Sequence, residues 1–237
     1  MKLKRFSRHI SSVILLPLLI NSSYSAEPLT FDSLEPETKL EYIQLIKEAK
    51  LCLRNKQPSE AINIINEAEK ILKQNTTLLG VKSAAYTELK DLAKAIATQQ
   101  KALELEPENV NILFNLGELH YVQHQWALAN SYFTKIISTL EGDSTNPLYY
   151  LSELKVYISM KKQGLAEEAK VIEEKYDFTT DSPIYYFVNA VKFLENGESK
   201  KAHTWIDRAY RVYKNNVILN PWQDTLIEAG YFSEEGI

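Results

Sequence analysis

Ala61, Ala95 and Ala129 stand 34 residues apart, and Ala169 and Ala202 continue the series after steps of 40 and 33. A fixed period of this size marks a helical repeat array, in which each short unit cannot bury its own apolar face and stacks on its neighbours instead. Such arrays share one continuous core and present a long concave surface. The period therefore predicts a binding scaffold rather than a catalyst.

The chain opens with Lys2, Lys4, Arg5 and Arg8 ahead of an apolar run from Val13 to Ile20. This is the layout of a secretory signal peptide, and the small residues Ser23 and Ser25 place its cleavage between Ser25 and Ala26. The run is shorter than the roughly 20 residues a membrane span requires, and Pro17 interrupts it. Residues 1–25 read as a signal peptide and 26–35 as a flexible lead-in. The mature protein is expected in the periplasm or outside the cell, without membrane insertion. Losing residues 1–25 removes four basic and no acidic residues, so the formal net charge moves from −4 to −8. A chain this acidic repels phosphate backbones, which argues against nucleic acid as a ligand. Cys52 is the sole cysteine, so no internal disulfide framework supports the fold.

Frames of about 34 residues run over 42–75, 76–109, 110–143, 150–182 and 183–216, each with two amphipathic helical stretches. Gly117 and Ala129 supply small residues where the paired helices of the third frame cross, and Ala49, Ser83 and Ala190 stand at the Gly117 position elsewhere. Tyr157 is the bulky exception and is expected to push its helices apart. Asn146-Pro147, Ser182-Pro183 and Asn220-Pro221 each pair a capping side chain with a proline, which predicts three helix starts. The polar segment Glu141–Asn146 reads as a loop, and residues 218–237 as a capping helix and tail.

The segment LFNLGELHYVQHQWALANSYFTKI, from Leu113 to Ile136, resembles the tetratricopeptide repeat (TPR) motif, W-x2-L-G-x2-Y followed by A, F, A and P at set offsets. The second frame matches through Tyr86, Ala95, Ala102 and Pro107, and the first through Ala49, Ala61, Ile65 and Ala68. The fourth keeps Gly164, Glu168 and Ala169; the fifth keeps Ala190, Gly197, Ala202 and Ala209. The resemblance covers residues 42–216. It implies an all-α fold: a right-handed α-solenoid of about five helix-turn-helix repeats, spanning 36–217, with a C-terminal capping helix.

The same resemblance implies a concave groove lined mainly by the first helix of each repeat. Carried onto this chain, the groove positions give Lys50, Asn111, Phe114, Glu118, Tyr121, Ile158 and Phe187 as the residues expected to meet a protein or peptide partner. Such side chains anchor an extended peptide or an amphipathic helix. In a solenoid they also pack against the next repeat, and position alone does not separate the two roles. Relatives that grip C-terminal carboxylates use a lysine, asparagine and arginine clamp; Lys50 is the sole residue here at a clamp position, where asparagine is needed.

Catalytic signatures are missing from the sequence: no G-x-S-x-G elbow, glycine-rich phosphate loop, H-E-x-x-H or paired-cysteine metal site occurs. No catalytic, cofactor or metal site is expected. His120 and His124 have the i, i+4 spacing of two metal ligands, and a helical metal-dependent enzyme built on them and Glu118 is the rival hypothesis of another class. Packing and surface roles explain both histidines more simply. The expected function is a non-catalytic interaction scaffold in the cell envelope, with an accessory or pilot role in envelope assembly or secretion as the alternative.

Overall fold

A computed structural model describes residues 29–233 except 142 and 144. The expected signal peptide, the first residues of the lead-in and the last four residues of the chain lie outside that range. Among the described residues are eleven α-helices and no strand. They form five hairpins: α1 (Pro36–Arg54) with α2 (Pro58–Ile71), α3 (Thr76–Glu88) with α4 (Leu92–Leu105), α5 (Val110–Tyr121) with α6 (Trp126–Thr139), α7 (Pro147–Lys162) with α8 (Ala166–Lys175), and α9 (Ile184–Glu195) with α10 (Ser199–Tyr213). A final helix, α11 (Asn216–Glu228), follows.

The alanine period is a packing rule. Ala61, Ala95, Ala129, Ala169 and Ala202 have no exposed surface, because each lies where its helix crosses the partner of the same hairpin. Small residues there let the backbones approach. Ser83 shows how close they come, since its hydroxyl donates to the Ala95 carbonyl at 3.0 Å across the α3–α4 crossing. Tyr157 breaks the pattern: its buried ring stands at the α7–α8 crossing and its hydroxyl donates to Glu173 on α8 at 2.8 Å.

A second period runs five residues ahead of the alanines. Lys56, Lys90, His124, Gly164 and Gly197 all adopt the left-handed conformation, with φ of 57°, 61°, 57°, 77° and 73°. Each ends the first helix of its hairpin, and the next residue's N–H reaches back to a carbonyl five positions earlier, as in Gln57 to Cys52 and Asp91 to Tyr86, both at 2.9 Å. Glycine takes this conformation freely, so Gly164 and Gly197 are visible turn signals. The two lysines and His124 bear its steric cost, and the repeating tertiary contacts hold them there.

Asparagines start many of the first helices. The side chains of Asn75, Asn109, Asn146 and Asn215 accept backbone N–H groups at the starts of α3, α5, α7 and α11. The expected start at Asn146-Pro147 is present, and α9 begins directly after Ser182-Pro183. Asn220-Pro221 is different. Asn215 already caps α11, so Pro221 lies inside the helix rather than at its start. The lead-in also differs from a flexible segment over its described part: Phe31–Ser33 form a 3-10 turn, and the Phe31 ring packs on Tyr42 with 5.9 Å between centroids. The apolar Phe31 and Leu34 gain more by covering the end of the array than by remaining in water.

The largest core cluster extends from Leu113 to Ala229, while Tyr42 to Ala85 form a separate one at the N-terminal end. At the centre lies α7, in which every residue from Leu151 to Ser159 is buried. A helix buried on all sides is surrounded by others. Here α6 and α8 flank it outside, and α5, α9 and α11 approach it inside.

Two glycines separate packing from helix propensity. A Cβ on Gly117 would lie 2.7 Å from Phe133, whose buried ring is boxed in by Phe114 and Tyr121, whereas a Cβ on Gly80 meets nothing within 4 Å. Gly117→Ala is expected to lower unfolding stability by about 1–3 kcal/mol. Gly80→Ala should raise it by about 0.5–1 kcal/mol. Urea denaturation of both variants measures the contrast; equal effects would refute the close-contact account.

Candidate functional site: a concave face open at one end and covered at the other

The first helices of the hairpins, α1, α3, α5, α7 and α9, line the inner face. Its C-terminal half is covered by α11, which runs along α7. The first turn of α11 lies by the start of α7, where Val217, Ile218, Pro221 and Trp222 share a cavity with Pro147, Leu148 and Tyr150. The last turn and the residues after it meet the ends of α5 and α9: the Tyr121 hydroxyl donates to the Thr225 carbonyl at 3.2 Å, a ring nitrogen of His124 lies 3.0 Å from the Glu228 carbonyl, and the hydroxyl of Tyr231, just past α11, donates to Glu195. Between these ends, Trp222 packs on Phe187 at 5.7 Å and Leu219 and Leu226 are buried.

At the centre of this contact is Lys155, whose side chain is 2% exposed. Its ammonium lies 2.8 Å from Glu118 on α5 and 2.9 Å from Glu228 on α11, and 4.2 Å from the centroid of the Tyr121 ring. A buried cation is tolerated only when paired, and stripping away its partners costs several kcal/mol. The two carboxylates and the ring face together supply that pairing. Burial raises the Glu118 carboxyl above the ordinary glutamate range, against the pull of Lys155, and the nearby Glu228 charge adds to the rise. Desolvation also pushes the Tyr121 hydroxyl well up, so it stays protonated and donates.

The residues expected to meet a partner divide between the two halves. Glu118, Tyr121 and Phe187 come together beneath α11, and Tyr121, Ile158 and Phe187 have no exposed surface. They face the protein's own helix or its core. Phe114 is half-buried, with its ring edge-on to Phe133 at 5.6 Å. Lys50 and Asn111 are exposed. Sequence reasoning missed Lys155 and Glu228; the one available signal was a lysine inside the run Leu154-Lys155-Val156.

The other half of the face is open. Leu53, Gly80, Ser83, Ala84, Thr87, Glu88, Asn115, Glu118 and Leu119 line a hollow of about 280 Å³ between α1, α3 and α5. Leu53 also belongs to the adjoining surface of α1, where Lys47, Lys50 and Arg54 stand exposed on one side of the helix. None of these three forms an ion pair among the described residues.

His120, His124 and Glu118 do not converge as a metal site would require. His120 stacks on Tyr132 and contacts Gln125, His124 stacks on Trp126, and Glu118 serves Lys155. Among the described residues no group of three histidine, cysteine or acidic side chains is placed to hold a metal ion.

Glu118 makes the site pH-sensitive. Its folded pKa lies above the unfolded value, so above the ordinary glutamate range the folded state holds more proton and stability falls as pH rises. Stability measured against pH should therefore show Glu118→Gln gaining on the wild type as pH rises through that window. Parallel curves would refute the assignment.

A family model described as TPR repeat matches residues 84–123, which run from α3 to the end of α5. The small glutamine-rich tetratricopeptide repeat-containing protein 2 of Saccharomyces cerevisiae is 27% identical over 151 residues, 62% of this chain. The match spans 42% of that relative's length. Two solved structures, MamA AMB-1 and MamA MSR-1, superpose with TM-scores of 0.51 and 0.52 at 13% identity, covering 73% and 76% of this chain and 98% of each of theirs. They show the shared helical-repeat fold. Five hairpins in series, left-handed turns that keep step with the alanines, and these matches give the chain a fold similar to that of tetratricopeptide-repeat proteins, with the repeat model itself matched over residues 84–123.

Proposed function

We propose that this protein is a non-catalytic scaffold in the periplasm or outside the cell, and that it holds an acidic peptide segment of a protein partner on the open half of its concave face. TPR arrays serve generally as protein-interaction scaffolds, and the matches to repeat proteins support that role here. The observation that carries the finer reading is the juxtaposition on α1, α3 and α5. Leu53, Ala84 and Leu119 offer apolar contact in the hollow, whose own acids Glu88 and Glu118 are paired with Lys56 and Lys155, while Lys47, Lys50 and Arg54 beside it lack carboxylate partners among the described residues and outnumber the one acid among them, Glu48. On a chain with net negative charge this local cationic strip is the place where acidic side chains gain most. The charge acts over a Debye length of about 8 Å at physiological salt, so it selects by local contact.

The basic and apolar opening residues support export. N-terminal sequencing of protein recovered from the envelope fraction is expected to begin at Ala26. Recovery of a chain that keeps Met1 in the cytoplasm would sink the export reading.

A photo-crosslinking residue at Lys50 should capture a discrete partner in the native compartment, and one at the exposed Val171 of α8 should not. Lys47→Glu with Arg54→Glu should cut capture at position 50 by about tenfold or more, equivalent to the loss of charged contacts worth roughly 1.4 kcal/mol. Unchanged capture with an intact circular dichroism spectrum would refute this surface.

A further inference from the structure

The covered half of the face presents a separate question, because what covers it has the properties of a ligand rather than of another repeat. Three observations on α11 bear on it. Pro221 lies within the helix and has no N–H for the Val217 carbonyl, which leaves that carbonyl without its helical partner and weakens the helix there. Its first turn is loosely seated: Val217 is 79% and Ile218 45% exposed, and the cavity of about 460 Å³ beside them separates this turn from Leu148, Tyr150 and Tyr213. It joins α10 through Lys214 and Asn215 alone, with Lys214 in the left-handed region at φ 49°, where a non-glycine residue is strained.

The way α11 is gripped also defines what else fits. Tyr121 and His124 contact the main-chain carbonyls of Thr225 and Glu228, which any helix in that position presents. Side-chain recognition comes from Leu219, Trp222 and Leu226, all buried, from Gln223, which accepts from the Tyr210 hydroxyl of α10, and from the Glu228 carboxylate on Lys155. These are an amphipathic helix's apolar face, one amide and one acidic residue placed against a buried cation. If α11 leaves, Lys155 keeps Glu118 but loses its second carboxylate, so an occupant lacking an acid there is penalised.

We propose that α11 is a resident ligand of the groove formed by α5, α7 and α9, displaced by a partner helix that carries apolar residues at the spacing of Leu219, Trp222 and Leu226 and a carboxylate two positions after the last. The protein thus has two docking surfaces, one open and acid-selective, the other closed until a competing helix arrives. The proposal extends the scaffold reading to a second surface, and its test uses the chain's own helix as probe, so it stands or falls independently of binding at α1.

The test uses the full chain and a fluorescein-labelled synthetic peptide of residues 215–233, followed by fluorescence anisotropy. Wild type should bind the peptide weakly, because its groove is filled. The Trp222→Ala/Leu226→Ala variant, with α11 weakened, should bind it about tenfold or more tightly, since apparent affinity scales with the fraction of open groove. Adding Lys155→Met to that variant, or Glu228→Lys to the peptide, should remove the gain. A folded variant that binds no better than wild type, or a gain indifferent to both charge changes, would overturn the proposal. Hydrogen exchange on the wild type decides the matter should the variant fail to fold: α11 is expected to open while α7 and α9 stay protected. Exchange of all three helices in a single step would show α11 to be integral core, and a dimer that trades α11 between copies on gel filtration would assign the groove to a second copy; either result overturns it.

Discussion

One buried cation joins the parts of this structure that chain order keeps apart. Lys155 sits on the central helix α7 and binds a carboxylate from α5 on one side and from α11 on the other, with the Tyr121 ring beside it. None of these groups is stable alone in the interior, because a charge withdrawn from water costs more than any single contact returns. Their presence together ties α5, α7 and α11 to one point. In the C-terminal half α11 reaches α5, a contact between Tyr121 and Thr225, which stand 104 positions apart in the chain.

This closure divides a regular array into two unlike halves. The N-terminal hairpins leave a hollow on their inner side, beside basic residues of α1 that form no ion pair among the described residues. The C-terminal hairpins wrap around α7, whose nine consecutive buried residues include Glu153 and Lys155. Glu153 is paired with Lys175, and burial nonetheless raises its carboxyl above the ordinary range. The paired charges tie α7 to α5, α8 and α11 at fixed points along its length. The polar loop between α6 and α7 allows α7 to fold back along α6, making contact there as extensive as within a hairpin.

Much of the repeat architecture is legible in individual residues. The alanines mark the crossings, Gly117 marks a contact too close for a Cβ, and Gly164 and Gly197 mark left-handed turns. The same turns at Lys90 and His124 carry no such signature, because there tertiary contacts override a local preference. Asn220-Pro221 misleads for a related reason. A proline favours a helix start, yet Asn215 caps the helix one turn earlier and the packing of Trp222 and Leu226 holds Pro221 inside it. Among the groove residues, Phe187 and Ile158 read equally well as ligand contacts or as core, and sequence position could not choose.

What the sequence determined by itself was everything governed by short-range repetition: an all-helical chain, the hairpin count, the crossing residues and the absence of recognisable catalytic motifs. These follow from periodicity and small side chains, which act within one or two repeats. The tertiary structure alone decided which half of the concave face is free. That depends on the sum of small rotations between successive hairpins, and on a carboxylate near the end of the chain meeting a lysine 73 residues earlier. No local pattern records such a sum, so the helix that looked like a terminal cap is revealed as the occupant of the groove only when the chain is folded.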